Sequence, residues 1–538
     1  MSAPLWTFEA ITQAIGAQRA CELKGPGRYL SSPGTGEGAL IRADEGLAQN
    51  TTALPEPSPS PALRASSRVP GDGSKGAVTG ISIDTRTIEP GDLFVALEDA
   101  RDGHEFVKAA FEKHAAAAIV RSDFDAATYG IDPQDRRLLY VSYPKLPELK
   151  PQDWPLEALR CLGRAARARL APDARVIAVT GSAGKTTTKE MLRACLTPLG
   201  RTHASEKSYN NHWGVPLTLA RMPADTQFAV FEIGMNHSGE IMPLSKMVRP
   251  HVAIITTVEA VHLEHFASVA AIAEAKAEIF SGLVPGGTAV IPADNKHAEA
   301  LIERAEASGA KVIKFGGSTP ANYRLLAMSF NRNGGPIEID AHGQRVAYYL
   351  AMPGSHTASN SLAAAAALDA IGGSSLEHAL MPLASFRAPQ GRGQMHELGE
   401  IHLIDESYNA NPASMRAALE TMALSSRDIH RRRIAVLGDM LELGPDAPRL
   451  HAELASAIQT NGIDLVLACG PNMRHLYDAL PEAKRVKWAP KSGELTEKLL
   501  DLVQGGDVVM IKGSNGSAMA PLVSALIARH AGGKMNSE

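Results

Sequence analysis

At 538 residues the chain is too long for one hydrophobic core, and two to four domains are expected. Its 44% hydrophobic and 21% charged content is ordinary for a soluble globular protein. A net charge of −4 without a basic stripe argues against nucleic-acid binding. No membrane insertion is expected, because the alanine run Ala363 to Ala367 stops at Asp369, far short of the ~20 apolar residues of a span. The first twenty residues contain Glu9 and no continuous apolar stretch, so a signal peptide is not expected. The four cysteines, Cys21, Cys161, Cys195 and Cys469, are far apart with no C-x-x-C pair. That spacing predicts reduced thiols and a cytoplasmic location.

In chain order, Gly25 to Lys75 is rich in Pro, Ser, Gly and Ala and poor in large apolar residues. Such a segment cannot bury enough surface to offset its ordering entropy, so a flexible insertion in a small N-terminal domain is expected. Patterned sequence resumes at ISIDTRTIEPGDLFVAL and runs to about Leu149, where PELKPQDWP reads as a linker. From Trp154 strand and helix alternate. RVIAVTG is a β-branched strand entering a glycine loop, and TTTKEMLRACL continues as a helix. QFAVFEIG, HVAIITTV, GTAVIPAD and KVIKF are further strands, predicting a doubly wound, mostly parallel sheet. Near Arg392 the pattern begins again with IHLIDES, RIAVLGD, DLVLACG and DVVMIKG. These predict a second α/β domain of Rossmann-like topology, although no GxGxxG fingerprint follows the strands.

The loop TGSAGKTTTKE, Thr180 to Glu190, carries the first chemical signal. Gly184, Lys185 and Thr186 fit the end of G-x-x-x-x-G-K-[ST], but the first glycine of that pattern would fall at Val179, inside the strand. A glycine loop before a helix aims several N–H groups and the positive helix end at one phosphate. Lys185 would reach the β- and γ-phosphates and the Thr186 hydroxyl a Mg²⁺ ion. Glu232 closes a later strand, so its carboxylate is expected at the same carboxyl edge of the sheet. His262 follows another strand end. Lys276 lies in a helix-like segment where a solvated lysine is the default. A strand-end glutamate or a loop histidine is, alone, more often a surface group.

Five stretches occur together: TGSAGKTTTKE, KSYNNHWGVPLTL, FEIGMNHSGEI, VHLEHFASVAAIAEAKAEIF and DESYNANPASM. In that order the chain resembles the Mur ligases of peptidoglycan synthesis, and among them the type that adds D-alanyl-D-alanine. The shortened loop is normal in that family. The resemblance covers nearly the whole chain outside the insertion. It implies three domains: a UDP-sugar-binding domain over 1–152, a central ATP-binding domain over 153–391 and a C-terminal domain over 392–538. SIDTRTIEPGDLFVAL with DGHEFV looks like the first, and GDMLELG with IKGS looks like the last.

The implied activity is ATP-dependent amide ligation. ATP phosphorylates the terminal carboxylate of UDP-MurNAc-tripeptide, the D-Ala-D-Ala amine attacks the acyl phosphate, and phosphate leaves. Gly181, Ser182, Ala183, Gly184, Lys185, Thr186 and Thr187 would cradle the nucleotide, with Asn360, Arg392 and Glu406. Thr186 and Glu232 would hold one Mg²⁺ and His262 a second, while Lys276 would be carbamylated to a carboxylate-like ligand. Asn210, Asn211, Tyr408, Asn409 and Asn411 would contact substrate. Ser82, Asp84, Arg86, Asp102, Gly103 and His104 would face the UDP-sugar. A monomer is expected that closes on hinges near Leu149–Trp154 and Gln390–Gly393.

Three positions depart from the pattern: Glu406 replaces an aspartate, Thr357 an asparagine and Asn515 an arginine. Other readings are a diaminopimelate- or lysine-adding relative, a folylpolyglutamate synthase, or a P-loop kinase or switch that makes no amide bond. YNANPASM in place of a DNP-type motif disfavours the first. The apparent UDP-binding segment disfavours the second. Lys276 would be dispensable in the third.

Overall fold

A computed structural model describes residues 4–16, 18–19, 77–146, 148–206, 208–318, 320–425, 427 and 432–531. The expected insertion at 25–75 lies outside the described residues. Three large sheets and a two-stranded pairing of Trp6–Thr7 with Ala77–Val78 organise the rest. In the central sheet, Arg175–Thr180 pairs in parallel with Phe228–Glu232 on one side and Val252–Ile255 on the other. Thr202–Ala204 extends the first side, and Thr288–Pro292 followed by Lys311–Gly316 extends the second. These strands are near-continuous apolar runs because helices cover both faces. Chain order reverses at Arg175–Thr180, which makes its carboxyl end the switch point where open α/β sheets bind ligands.

The sheet then continues beyond the predicted strands. Tyr323–Met328, Gly335–Ala341 and Gln344–Leu350 add to its edge, the last two joined as an antiparallel hairpin. Burial alternates along the last two, because their outer face meets water. The C-terminal sheet orders Gln394–Leu398, Ile401–Glu406, Asp507–Lys512, Arg432–Gly438, Leu465–Cys469 and Arg485–Ala489, parallel except for its first pair. The N-terminal sheet orders Gln18–Arg19, Leu138–Val141, Ala117–Arg121, Asp92–Val95 and Gly80–Ser82. Among the described residues no helix is long and apolar enough to cross a membrane. Cys161, Cys195 and Cys469 are free, and burial pushes the Cys195 and Cys469 thiols up to about 12.

The N-terminal and central sheets share one continuous core. Trp6 and Ile11 pack in the same cluster as Leu159, Leu162 and Leu217 of the helices Trp154–Ala168 and Gly214–Ala220. The Trp6 indole N–H donates to the Ala220 carbonyl at 2.8 Å, and the Arg169 guanidinium lies 3.9 Å over its ring. Arg169 also donates to the Leu5 and Met222 carbonyls. Trp6→Ala is therefore expected to cost about 3–5 kcal/mol of stability, read as a lowered denaturation midpoint. Equal midpoints for the two proteins would show that this seam carries no stability.

Candidate active site

The strand Arg175–Thr180 delivers its chain into the loop 181–184, and the helix Lys185–Leu196 leaves it. Gly184 caps that helix at φ +82°, and a Cβ there would lie 2.3 Å from Asn360 Oδ1. Only glycine meets both conditions. The loop is clamped from the next strand. The Thr256 hydroxyl donates to the Ala183 carbonyl at 2.5 Å, and the Ser182 N–H donates to the Thr257 carbonyl at 2.9 Å. Ser182 Oγ accepts the Glu259 N–H at 2.9 Å. A rigid loop of this kind holds its N–H groups ready for an anion without reorganisation. Gly184→Ala is expected to abolish nucleotide binding while leaving the far-UV spectrum unchanged; native ADP affinity in this variant would contradict the loop's role.

Beneath the loop the predicted groups converge. The Thr186 hydroxyl donates to Glu232 Oε2 at 2.8 Å, and both side chains are buried. Asn210 Nδ2 donates to Glu232 Oε1 at 2.7 Å. Asn210, expected to contact substrate, also fixes this carboxylate in place. Lys185 Nζ turns back on its own loop, donating to the Gly181 carbonyl at 2.6 Å. Burial holds its pKa below the usual lysine value; Glu232 opposes that shift and Arg392 adds to it.

Lys276 departs most from a sequence default. It is 2% exposed, not solvated, near the end of the helix Val269–Ala277. Burial, with the Lys185 charge second, pushes its amine well below the ordinary value, which favours the uncharged form. The cations Lys185 and Arg392 thus stand against the one carboxylate of Glu232. Such a site favours a polyanion.

The C-terminal sheet closes the site from the other side. Arg392 lies 4.0 Å over the Tyr408 ring and donates to Ser208 Oγ at 3.1 Å, across to the central domain. Asn411 caps the helix Pro412–Ala423 through Ser414 N and approaches the Ser182 carbonyl at 3.5 Å. Lys512, buried, donates to Glu406 Oε2 at 3.0 Å and to the Asn409 carbonyl at 2.9 Å. It tethers the longer Glu406 side chain that stands where an aspartate was expected. Glu406 lines a cleft with Met352, His356, Gly393 and Met395, and His356 Nδ1 is buried there without a partner. Thr357 spends its hydroxyl on the Met352 and Gly354 carbonyls, at the start of the helix Ser355–Ile371. His262, at φ +55°, pairs through Nδ1 with Glu442 Oε2. That hydrogen bond holds the Glu442 carboxyl below its usual range.

The N-terminal residues form a separate group. Arg86 grips Asp84 at 2.7 Å, and Ser82 Oγ donates to the Asp84 carbonyl at 2.9 Å. Arg86 lies close enough to Tyr209, next to Asn210, for the two to interact. Asp102, Gly103 and His104, also expected at the sugar, make contacts within the protein. His104 is buried, its Nδ1 paired with Asp102 at 2.6 Å and its Nε2 accepting the Arg121 N–H at 3.1 Å. Neither nitrogen is left for a ligand. Gly103 sits against the Leu97 backbone, donating to that carbonyl at 2.8 Å.

Thr256, His356 and Lys512 were not picked out as site residues from the sequence. Thr256 lies in HVAIITTV, Lys512 in IKGS, and His356 directly precedes Thr357, and that neighbourhood was the available signal. Among the described residues no three His, Cys, Asp or Glu side chains form a metal cage. A hydroxyl and one carboxylate nonetheless suit Mg²⁺, which is held by one or two carboxylates and completes its shell with phosphate and water.

Comparison with known proteins bears on this arrangement. Residues 179–368 match the Mur ligase middle domain, and residues 391–515 match the Mur ligase, glutamate ligase domain. UDP-N-acetylmuramoyl-tripeptide–D-alanyl-D-alanine ligase of Escherichia coli strain K12 is 34% identical, over 83% of this chain and 93% of that protein. The Rickettsia prowazekii protein of the same name is 32% identical, over 82% of this chain and 94% of its own. A crystal structure of MurF from Acinetobacter baumannii superposes with a TM-score of 0.75 at 25% identity, covering 98% of this chain and 99% of that one.

Proposed function

The chain belongs to the Mur ligase family, and from that premise we propose how its site works. The protein is an ATP-dependent ligase that joins D-alanyl-D-alanine to UDP-N-acetylmuramoyl-tripeptide, giving UDP-MurNAc-pentapeptide, ADP and phosphate. The observation that carries the mechanism is the convergence of Lys185, Thr186, Glu232 and Lys276 under one phosphate loop.

The chemistry requires a carboxylate to become an acylating agent. A carboxylate oxygen attacks the γ-phosphorus of ATP, ADP leaves, and the oxygen carries the phosphoryl group. The D-Ala-D-Ala amine then attacks the carbonyl carbon, loses a proton, and the C–O bond to phosphate breaks. Phosphoryl transfer is mostly positioning and charge neutralisation. In this reading Lys185 swings from Gly181 to the γ-phosphate, and Arg392 leaves Ser208 to neutralise the same group. Gly181, Ser182, Ala183, Thr187 and Asn360 line the nucleotide, while His356 and Glu406 hold its nucleoside end. Thr186 and Glu232 would hold one Mg²⁺ and His262 a second, and bound ions would supply neutralisation of phosphate charge.

Lys276 fits the remaining ligand. In its uncharged form the buried amine can add to CO₂, releasing one proton to solvent, and the carbamate formed would carry a negative charge where an ammonium would repel a cation. A cavity of about 560 Å³ lined by Asn211, Gly234, Arg160, Arg164 and Lys246 would take the peptide arm. Ser82, Asp84 and Arg86 would take the uridine nucleotide, and Tyr408, Asn409 and Asn411 would face the dipeptide. Closure is assigned to the joint at Gln390–Gly393, where Gly391 and Gly393 adopt φ +72° and +94° around Arg392. The joint near Leu149–Trp154 moves less, because the core runs across it.

The test is phosphate release from ATP with Mg²⁺ and UDP-MurNAc-tripeptide, with and without D-Ala-D-Ala. Release that needs both acceptor and donor, with a pentapeptide product by mass, supports the reading. Release indifferent to D-Ala-D-Ala would overturn it.

A further inference from the structure

The pairing of His262 with Glu442 joins two domains. His262 follows the strand Val252–Ile255 of the central sheet, and Glu442 follows Arg432–Gly438 of the C-terminal sheet, in GDMLELG. Both residues hold left-handed backbone, at φ +55° and +63°, which L side chains enter at a cost. A second link crosses the same seam, with the Glu264 N–H donating to the Glu442 carbonyl at 3.4 Å. Leu263, between them in sequence, packs against the cores of both domains. Two strained residues that meet across a domain boundary are held there by their shared contact.

The chemistry of the pair is directional. A carboxylate only accepts hydrogen bonds, so Nδ1 of His262 must carry the proton. In the neutral ring Nε2 then keeps its lone pair, the form in which imidazole binds a metal. We propose that Glu442 is the positioning residue of His262: it sets the ring's tautomer and orientation from the C-terminal domain, so that the histidine becomes a metal-ready ligand only when that domain is docked. The proposal rests on the reading of His262 as a metal ligand. It gives one reason why a site in the central domain depends on its neighbour, beyond the reach of Arg392. Phosphate-binding parts and metal-binding parts would then assemble together, which guards ATP against hydrolysis in the open protein.

The test uses the whole chain with histidine labelled by ¹⁵N, comparing Glu442→Ala, Glu442→Gln and His262→Ala. The native His262 signal, identified by its loss in His262→Ala, is expected as the Nδ1–H tautomer. Glu442→Ala should shift it toward Nε2–H and weaken Mn²⁺ binding in the presence of ADP by about 10–100-fold, read by electron paramagnetic resonance. Glu442→Gln keeps an accepting oxygen and should restore both signals. A merely structural contact would not move the tautomer. An unchanged His262 tautomer in Glu442→Ala would overturn the proposal. Native Mn²⁺ affinity in His262→Ala would sink the metal reading alone, and the tautomer in Glu442→Ala would still decide whether Glu442 positions the ring.

Discussion

Lys276→Met is expected to raise the melting temperature of the ligand-free protein and to remove its ligase activity. The two effects have one cause. Lys276 is buried, and its pKa is depressed by burial first and by Lys185 second. No carboxylate appears among those causes to offset the desolvation of an ammonium there. Between the folded and unfolded pKa values the unfolded chain binds a proton that the native one does not. Native stability therefore rises with pH across that window, up to the unfolded value, and falls as pH drops below it. Methionine has similar length and no charge, so it should stabilise by about 1 kcal/mol or more and flatten this slope. Turnover should fall by about 10²–10³-fold or further, since a ligand for transition-state charge is lost. Lys276→Ala leaves room in the same place, and added short carboxylic acids should restore part of its activity. A variant of either kind with native turnover would show that the amine does no chemistry.

Lys185→Ala should be as damaging to turnover without the same gain in stability. Its ammonium has a compensating partner field from Glu232, and its Nζ is already bonded to Gly181. Removing it leaves Glu232 buried with less opposing charge, so stability should not rise. The γ-phosphate would lose a cation in a site shielded from water, which again corresponds to about 10²–10³-fold in kcat. ADP affinity should change less than kcat, because the loop N–H groups remain. Single-turnover phosphate release measures the first and calorimetry the second. Loss confined to ADP affinity, with kcat intact, would assign Lys185 to ground-state binding alone.

Much of this site was legible in the sequence because strand ends are. Arg175–Thr180 and Phe228–Glu232 are short apolar runs, and each places its last residue at the carboxyl edge. Thr186 lies in the first turn of the helix after the first of these strands and Glu232 ends the second, so the two meet at that edge although 46 residues apart. Lys276 was harder to read. Its helix buries Ile272, Ala273, Ala275 and Ala277 on several sides, so no polar face marks which residues meet water. Periodicity in one sequence cannot reveal a lysine buried by other elements. The pair His262–Glu442 spans 180 residues and two domains, and no local pattern joins them. The edge strands Gly335–Ala341 and Gln344–Leu350 did carry a signal, the alternation in PIEIDA and RVAYYL, that parallel-sheet expectations passed over. His104 was legible only in part: DGHEFV resembles a ligand-facing motif, whereas Asp102 in the local turn takes Nδ1 and the Arg121 N–H of the strand Ala117–Arg121 takes Nε2.

The central claim is that the peptide carboxylate itself is phosphorylated. It is tested most directly with UDP-MurNAc-tripeptide carrying ¹⁸O in its terminal carboxylate, incubated with ATP, Mg²⁺ and D-Ala-D-Ala. The account predicts one ¹⁸O in the released phosphate for each amide bond formed, because the C–O bond breaks after phosphoryl transfer. Amide formation with unlabelled phosphate would contradict it.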